Sequence, residues 1–127
     1  MSVKKQITRT AEISIDKQGF LRFKIIEGSV IDEEDALDNL LVIKTISENK
    51  KMLKLIDLRG KWKMTKKAHE VSEKNVSAKN TIARAYIIDG FLTKLLLKFF
   101  RSFSSSDCPQ EFFTDEEEAI LWLKKQF

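Results

Sequence analysis

"MLKLIDL" (Met52–Leu58) is an apolar run broken only by Lys54 and Asp57, with Lys50 and Lys51 before it and Arg59 and Gly60 after it. It is too short for a core helix and reads as a buried strand. The segment before it, "IDEEDALDNLLVIKTI" (Ile31–Ile46), has a different period. Asp32 can cap a helix there, and Glu33, Glu34 and Asp35 suit the positive N-terminal end. Leu37, Leu40, Leu41 and Lys44 share one face of that helix. A strand that follows a helix crossover runs parallel to the strand before it, with the helix lying on the sheet. That alternation decides the fold class.

Upstream, Ile7, Ala11, Ile13 and Ile15 alternate with polar residues as one half-buried strand, and Leu21, Phe23 and Ile25 alternate as a second. The turn sequence "DKQG" (Asp16–Gly19) joins them as a hairpin. Downstream, Thr65 can cap a helix running through Lys74, and the loop Asn75–Asn80 leads to a buried strand in "ARAYII" (Ala83–Ile88). "FLTKLLLKFF" (Phe91–Phe100) then opens a helix that ends near Phe103. Lys94, Lys98 and Arg101 fall on one strip of it, while Leu92, Leu95, Leu96, Phe99, Phe100 and Phe103 cover the opposite side. A membrane-spanning helix needs about 20 mostly apolar residues. This run is interrupted too often, and a core helix under the sheet is expected instead. "SSSDCP" (Ser104–Pro109) is a loop, Glu111–Phe113 a short strand, and Thr114 with Glu117 a capping box for the last helix. The order is β-β-α-β-α-β-α-β-α: an α/β domain spanning residues 1–127, with a mixed sheet that begins in a hairpin.

Composition sets further bounds. A chain of 127 residues, 43% hydrophobic and 33% charged, can bury one core without cross-links. Met1–Thr10 lacks the apolar core of a signal peptide, and the single Cys108 cannot form an internal disulfide. Both fit a reducing cytoplasm. The net charge of +4 is unevenly spread: Lys44–Lys67 holds nine Lys or Arg and only two acids, Glu48 and Asp57. Such a stretch attracts anionic partners or merely solubilises a face. Without exposed aromatics interleaved among the charges, nucleic acid is not expected as a partner.

The N-terminal hairpin, "LKLIDLRG" (Leu53–Gly60), "ARAYIID" (Ala83–Asp89), the apolar helix and the closing "FFTDEEEAILWL" (Phe112–Leu123) together resemble the STAS-like group called SpoIIAA-like. The resemblance runs from Ile7 to Leu123. It implies a small STAS-like α/β sandwich that serves as a binding or regulatory module, without a catalytic centre or cofactor. In anti-sigma-factor antagonists of this group, a phosphorylatable serine sits in an Asp-Ser-Ser-Gly turn after the central strand. Here that region reads "DLRGKWKMTKKA" (Asp57–Ala68), so the resemblance does not carry a phosphoswitch over, and Thr65 is expected to be an N-cap. SpoIIAA-like domains are also similar in shape to lipid-carrying domains of the CRAL-TRIO kind, which implies an apolar ligand as the alternative.

The residues themselves offer little chemistry. His69 has no Cys or carboxylate at ligand spacing, and Cys108 has no histidine near it in sequence, so neither a metal site nor a nucleophile is expected. Asp57, Arg59 and Asp89 follow the C-terminal ends of parallel strands, where open α/β sheets bind ligands. They can equally serve each other, Asp57 pairing with Arg59 and Asp89 capping the next helix. Arg84 within its strand needs a partner, and Asp57 on the neighbouring strand is a candidate. Trp62 and Met64, set between lysines in "KWKM" (Lys61–Met64), suit contact with something apolar beneath a charged rim, or the lid of the core.

The expected function is therefore non-enzymatic docking of a protein partner, with candidate contacts at Asp57, Arg59, Trp62, Met64, Thr65 and Asp89. The alternative is a carrier or sensor of a lipid-like small molecule held under the helix Phe91–Phe103, with peripheral membrane contact. Either reading leaves room for a homodimer. If the apolar arc of Phe91–Phe103 faces the sheet, Leu96→Asp should unfold or aggregate the protein by burying an unpaired charge. A variant that melts at the wild-type temperature would show that arc to be exposed.

Overall fold

The sheet begins with two tight reversals that side-chain oxygens enforce. In the computed structural model, which describes residues 4–75, 80–89 and 108–126, strand β1 (Lys4–Ile7) turns directly into β2 (Ala11–Ile15). The Thr8 hydroxyl accepts from the N–H groups of Thr10 and Ala11 at 3.3 and 3.0 Å, closing the turn. The stretch Ile7–Ile15 is thus two antiparallel strands, not the single strand its alternation suggested, and Ile7 is exposed at the sheet edge. Asp16 builds the second reversal, into β3 (Leu21–Ile25), by accepting from Gln18 and Phe20 N–H at 2.9 and 3.0 Å. Gly19, at φ 85°, supplies the left-handed step.

From β3 onward every neighbour in the main sheet is parallel. Its order is β1-β2-β3-β5-β7-β8, with β5 at Met52–Asp57, β7 at Thr81–Ile87 and β8 at Gln110–Phe113. A second, two-stranded sheet pairs β4 (Val30–Ile31) with β6 (Lys63–Met64) in parallel. Three helices complete the described residues: α1 (Glu33–Ser47), α2 (Lys66–Asn75) and α3 (Glu116–Lys124). The mixed sheet and its parallel crossovers follow the order read from the sequence. The expected helix Phe91–Phe103 lies outside the described residues.

Alternation along β5 and β7 divides the core into two faces. Leu53, Leu55, Ala83, Ala85 and Ile87 meet Ala119 and Leu123 of α3. Phe23, Ile25, Ile56 and Tyr86 turn the other way, toward Ala36 of α1 and Ala68 and Val71 of α2. At β2 and β3, Ala11, Ile13 and Leu21 pack on Val42 and Ile46 of α1. Helices therefore cover both faces, as parallel strands require.

The helix ends are closed by carboxylates. Asp32 accepts from Asp35 N–H at 2.9 Å while Asp35 accepts from Asp32 N–H at 3.0 Å, a reciprocal capping box. The Arg9 guanidinium forks onto the same Asp35, with Nε at 2.9 Å, and so ties the β1–β2 turn to α1. The cap of α3 is Asp115, which accepts from Glu117 N–H at 3.1 Å, rather than Thr114. The helix starts one residue later than the capping-box pattern implied.

The buried stripe of α1 is also displaced from the expected one. Leu37 and Leu41 are exposed, 48% and 63%, whereas Ala36, Asn39, Val42 and Ile46 face inward. The reason is polar: Asn39 Nδ2 donates to Thr10 Oγ1 at 3.0 Å, and Thr8 Oγ1 donates to Asn39 Oδ1 at 2.6 Å. These bonds fix the rotation of α1 on the sheet. Asn39→Ala orphans the fully buried Thr10 hydroxyl and should cost about 2 kcal/mol in urea unfolding. A loss under ~0.5 kcal/mol would show that packing alone orients α1.

Candidate functional site

Between the sheet and the helices α1 and α2 lies a half-open apolar cleft of about 150 Å³. Phe23, Ile56 and Tyr86 form its floor from three adjacent strands, and Leu40, Ile43 and Ser72 bring α1 and α2 to its walls. Tyr86 stacks on Phe112 of β8 with ring centroids 5.0 Å apart, which stiffens the floor.

Trp62 and Met64 complete the cleft, so of the candidate residues these two reach it. Their placement follows from the pairing of β6 with β4. The backbone N–H groups of Lys63 and Thr65 donate to Ser29 and Ile31 carbonyls, both at 2.9 Å, so the segment is extended. Extended backbone alternates: Trp62 and Met64 are half-buried while Lys61 and Lys63 are exposed. Trp62 Nε1–H donates to Leu58 O at 2.9 Å, which holds the indole against the core. Lys66 and Lys67 at the start of α2 are exposed as well. The Thr65 hydroxyl accepts from Ala68 N–H at 3.1 Å, the N-cap role expected of it.

The remaining candidates gather elsewhere, at the C-terminal ends of β3 and β5, around a polar hollow of about 360 Å³ lined by Asp57, Arg59 and Gly60 together with Lys24 and Glu12. Arg59 forks onto Asp57 with Nε and Nη2 at 3.0 and 2.8 Å, and its backbone N–H donates to the same carboxylate at 3.0 Å. Glu116 of α3 lies 3.5 Å from Arg59 Nη2. Asp89 accepts from Gly60 N–H at 2.9 Å and so holds the β5 loop; the helix it was expected to cap lies outside the described residues. Gly60 sits at φ 98°, a conformation that favours glycine. Burial disfavours the charged Asp57 carboxylate, but the bonds from the Arg59 side chain and backbone outweigh it and hold Asp57 below the usual carboxylate value. These groups satisfy one another and brace the loop.

Arg84 does not reach Asp57, because the two project from opposite faces of the sheet. Asp57 shares the face of Leu55, whereas Arg84 lies between Ala83 and Ala85 and points away from α3. Its Nη2 donates to Cys108 Sγ at 3.4 Å instead. His69 is half-buried on α2. Among the described residues, no three His, Cys, Asp or Glu side chains gather as a metal site would require. No helix among them is long and apolar enough to cross a membrane. Sequence reading missed the floor residues Phe23, Ile56 and Tyr86 as cleft residues, because an apolar strand residue looks the same under a packed helix and under a gap. The inward-facing Asn39, a polar residue at a core position of α1, was the available signal that the helix was rotated.

Comparison with known proteins gives a family and a fold. The model of a family described as a domain of unknown function, DUF7793, matches residues 13–126. The crystal structure of an uncharacterized protein of the DUF3478 family from Shewanella loihica PV-4, with a SpoIIAA-like fold, is 18% identical in sequence. The match covers 94% of this chain and 90% of that one, with a TM-score of 0.61. The fold is thus SpoIIAA-like, as the sequence resemblance implied. No curated protein matches the chain.

The Asp57–Arg59 pair makes a prediction about acid stability. A carboxylate held below its usual value binds its proton more weakly in the folded chain than in the unfolded one. Its contribution is complete above about pH 4 and is lost as pH falls through the lowered folded value. Asp57→Asn should therefore flatten the acid limb of the stability–pH curve and remove on the order of 1 kcal/mol at neutral pH, since Arg59 is partly exposed. An acid limb of unchanged slope would mean that the pair contributes nothing to the linkage.

Proposed function

The chain belongs to the DUF7793 family, a domain of unknown function, and from that premise we propose that it is a non-enzymatic module that docks an acidic protein segment by one apolar side chain. The cleft carries this reading through its size. Pockets that enclose drug-sized ligands measure roughly 300–1,000 Å³, whereas a cavity near 150 Å³ takes a benzene ring. The cleft between Trp62, Met64, Ile56 and Tyr86 is of the second kind. It matches a leucine or phenylalanine side chain in size, which favours the docking module over the lipid carrier. An anchor side chain in a small apolar pocket is also how many protein interfaces concentrate their affinity.

Charge specifies the partner. Lys61 and Lys63 alternate with the two cleft residues Trp62 and Met64, and Lys66 and Lys67 follow on α2, all four exposed. A partner with carboxylates flanking its anchor would be attracted by this field, with a rate and affinity that fall as salt rises. The Asp57–Arg59–Asp89 group takes no part, since its members are bonded to one another or to the loop.

Trp62 reports on the cleft once Trp122 is replaced by Phe. Titration with a synthetic peptide carrying one Phe or Leu between glutamates should change Trp62 fluorescence at low salt. The half-saturation concentration should rise on the order of tenfold between 50 and 300 mM salt. Ser72→Leu, which fills the cleft from α2, should abolish the response. No response at low salt would overturn the reading. A salt-sensitive blue shift with anionic vesicles, and none with peptide, would place a membrane surface at Trp62 instead.

A further inference from the structure

On the face of the sheet opposite α3, one residue pair before the cleft floor, the strands carry a polar row where the fold calls for apolar side chains. Lys54 of β5, Arg84 of β7 and Gln110 of β8 are register partners on three adjacent strands. Each lies two residues before a residue of the apolar row: Ile56, Tyr86 and Phe112. Alternation therefore puts all three on the same face as the cleft. Neighbouring strands lie about 4.8 Å apart, so the lysine and arginine stems rise side by side.

Among the described residues, no carboxylate pairs with this row. Arg84 is 5% exposed, and its Nε has no hydrogen-bond partner among the described residues. The buried Gln110 Oε1 has none either. Arg84 Nη2 donates to the sulfur of Cys108, a weak acceptor, at 3.4 Å, and the guanidinium also hydrogen-bonds the Tyr86 side chain, which is neutral at ordinary pH. Buried charges are ordinarily paired with an opposite charge, and a buried arginine beside a half-buried lysine needs one more than most. Burial, and then the neighbouring Arg84, push the Lys54 ammonium down to about 8. An anion between the two cations would reverse both effects.

We propose that Lys54, Arg84 and Gln110 form an oxyanion site that takes a carboxylate or phosphate group on the cleft side of the sheet. The planar guanidinium offers its free Nε–H to one oxygen, and the ammonium acts as a second, more mobile donor. The Gln110 amide, turned by 180°, presents its NH2 where the unsatisfied oxygen now lies. The site uses none of the lysines of the docking rim, so it stands or falls separately from the proposed function.

The test is thermal unfolding of the full chain in inorganic phosphate, in acetate and in chloride at equal ionic strength, repeated with octyl phosphate and with vesicles containing phosphatidic acid. Phosphate or acetate should raise the melting temperature above the chloride value. Lys54→Met and Arg84→Gln should each remove that increment, and Lys54→Met alone decides the matter if Arg84→Gln does not fold. An increment from phosphate that octyl phosphate matches assigns a free small anion. A larger one from octyl phosphate or vesicles assigns a lipid headgroup. Equal melting in all three salts, with no response to either lipid probe, overturns the site. So does an Asp107→Asn variant destabilised as much as wild type is by loss of Arg84, because the chain would then supply its own carboxylate.

Discussion

Strands β5 and β7 must be covered on both faces, and the two faces are covered unequally. Toward α3, β7 presents Ala83 and Ala85, and α3 answers with Ala119. Leu53, Leu55, Ile87 and Leu123 pack around this contact of small side chains. Toward α1 and α2 the same strands present Ile56 and Tyr86, beside Phe23. Ala36, the small residue that α1 places over them, leaves part of the space open. A gap one side chain wide is the result. The cleft thus follows from how bulk is distributed between neighbouring elements, with no single residue dedicated to making it.

The polar contacts of α1 keep that gap from closing. Asn39 is bound to Thr8 and Thr10, and Asp35 to Arg9, so the helix is held in rotation and position by the β1–β2 turn. An apolar stripe of Leu37, Leu40 and Leu41 turned to the sheet would have filled the space. Instead Leu37 and Leu41 remain exposed to solvent. The β4–β6 pairing does the corresponding job for the rim, turning Trp62 and Met64 inward and the lysines outward by simple alternation.

Much of this was legible in the sequence. "MLKLIDL" and "ARAYII" announce strands buried on both faces, and the helices between them force parallel pairing. Asp32, Asp16 and Thr65 each do what their residue type at that position implies. The failures have physical reasons. The Ile7–Ile15 alternation continued across a turn that only the Thr8 hydroxyl betrays. The leucine stripe of α1 lost to hydrogen bonds between residues 29 and 31 positions apart, which no local period records. Of the candidate contacts, Trp62 and Met64 reach the cleft, while Asp57, Arg59 and Asp89 brace a loop. Strand-end position marks where ligands bind in open sheets, but it does not distinguish a free carboxylate from one already engaged by an arginine two residues away.

The central claim is that the helix-side gap, rather than the α3 side, receives a partner's side chain. Methyl-resolved NMR of isoleucine, leucine and methionine side chains tests it most directly, during titration with an acidic peptide that carries a single Phe anchor. The account predicts shifts at Ile25, Ile56 and Met64, with Leu53, Leu55 and Leu123 unmoved, and loss of the shifts when the anchor is replaced by Ala. Shifts centred on Leu53, Leu55 and Leu123, or shifts that survive removal of the anchor, would contradict it.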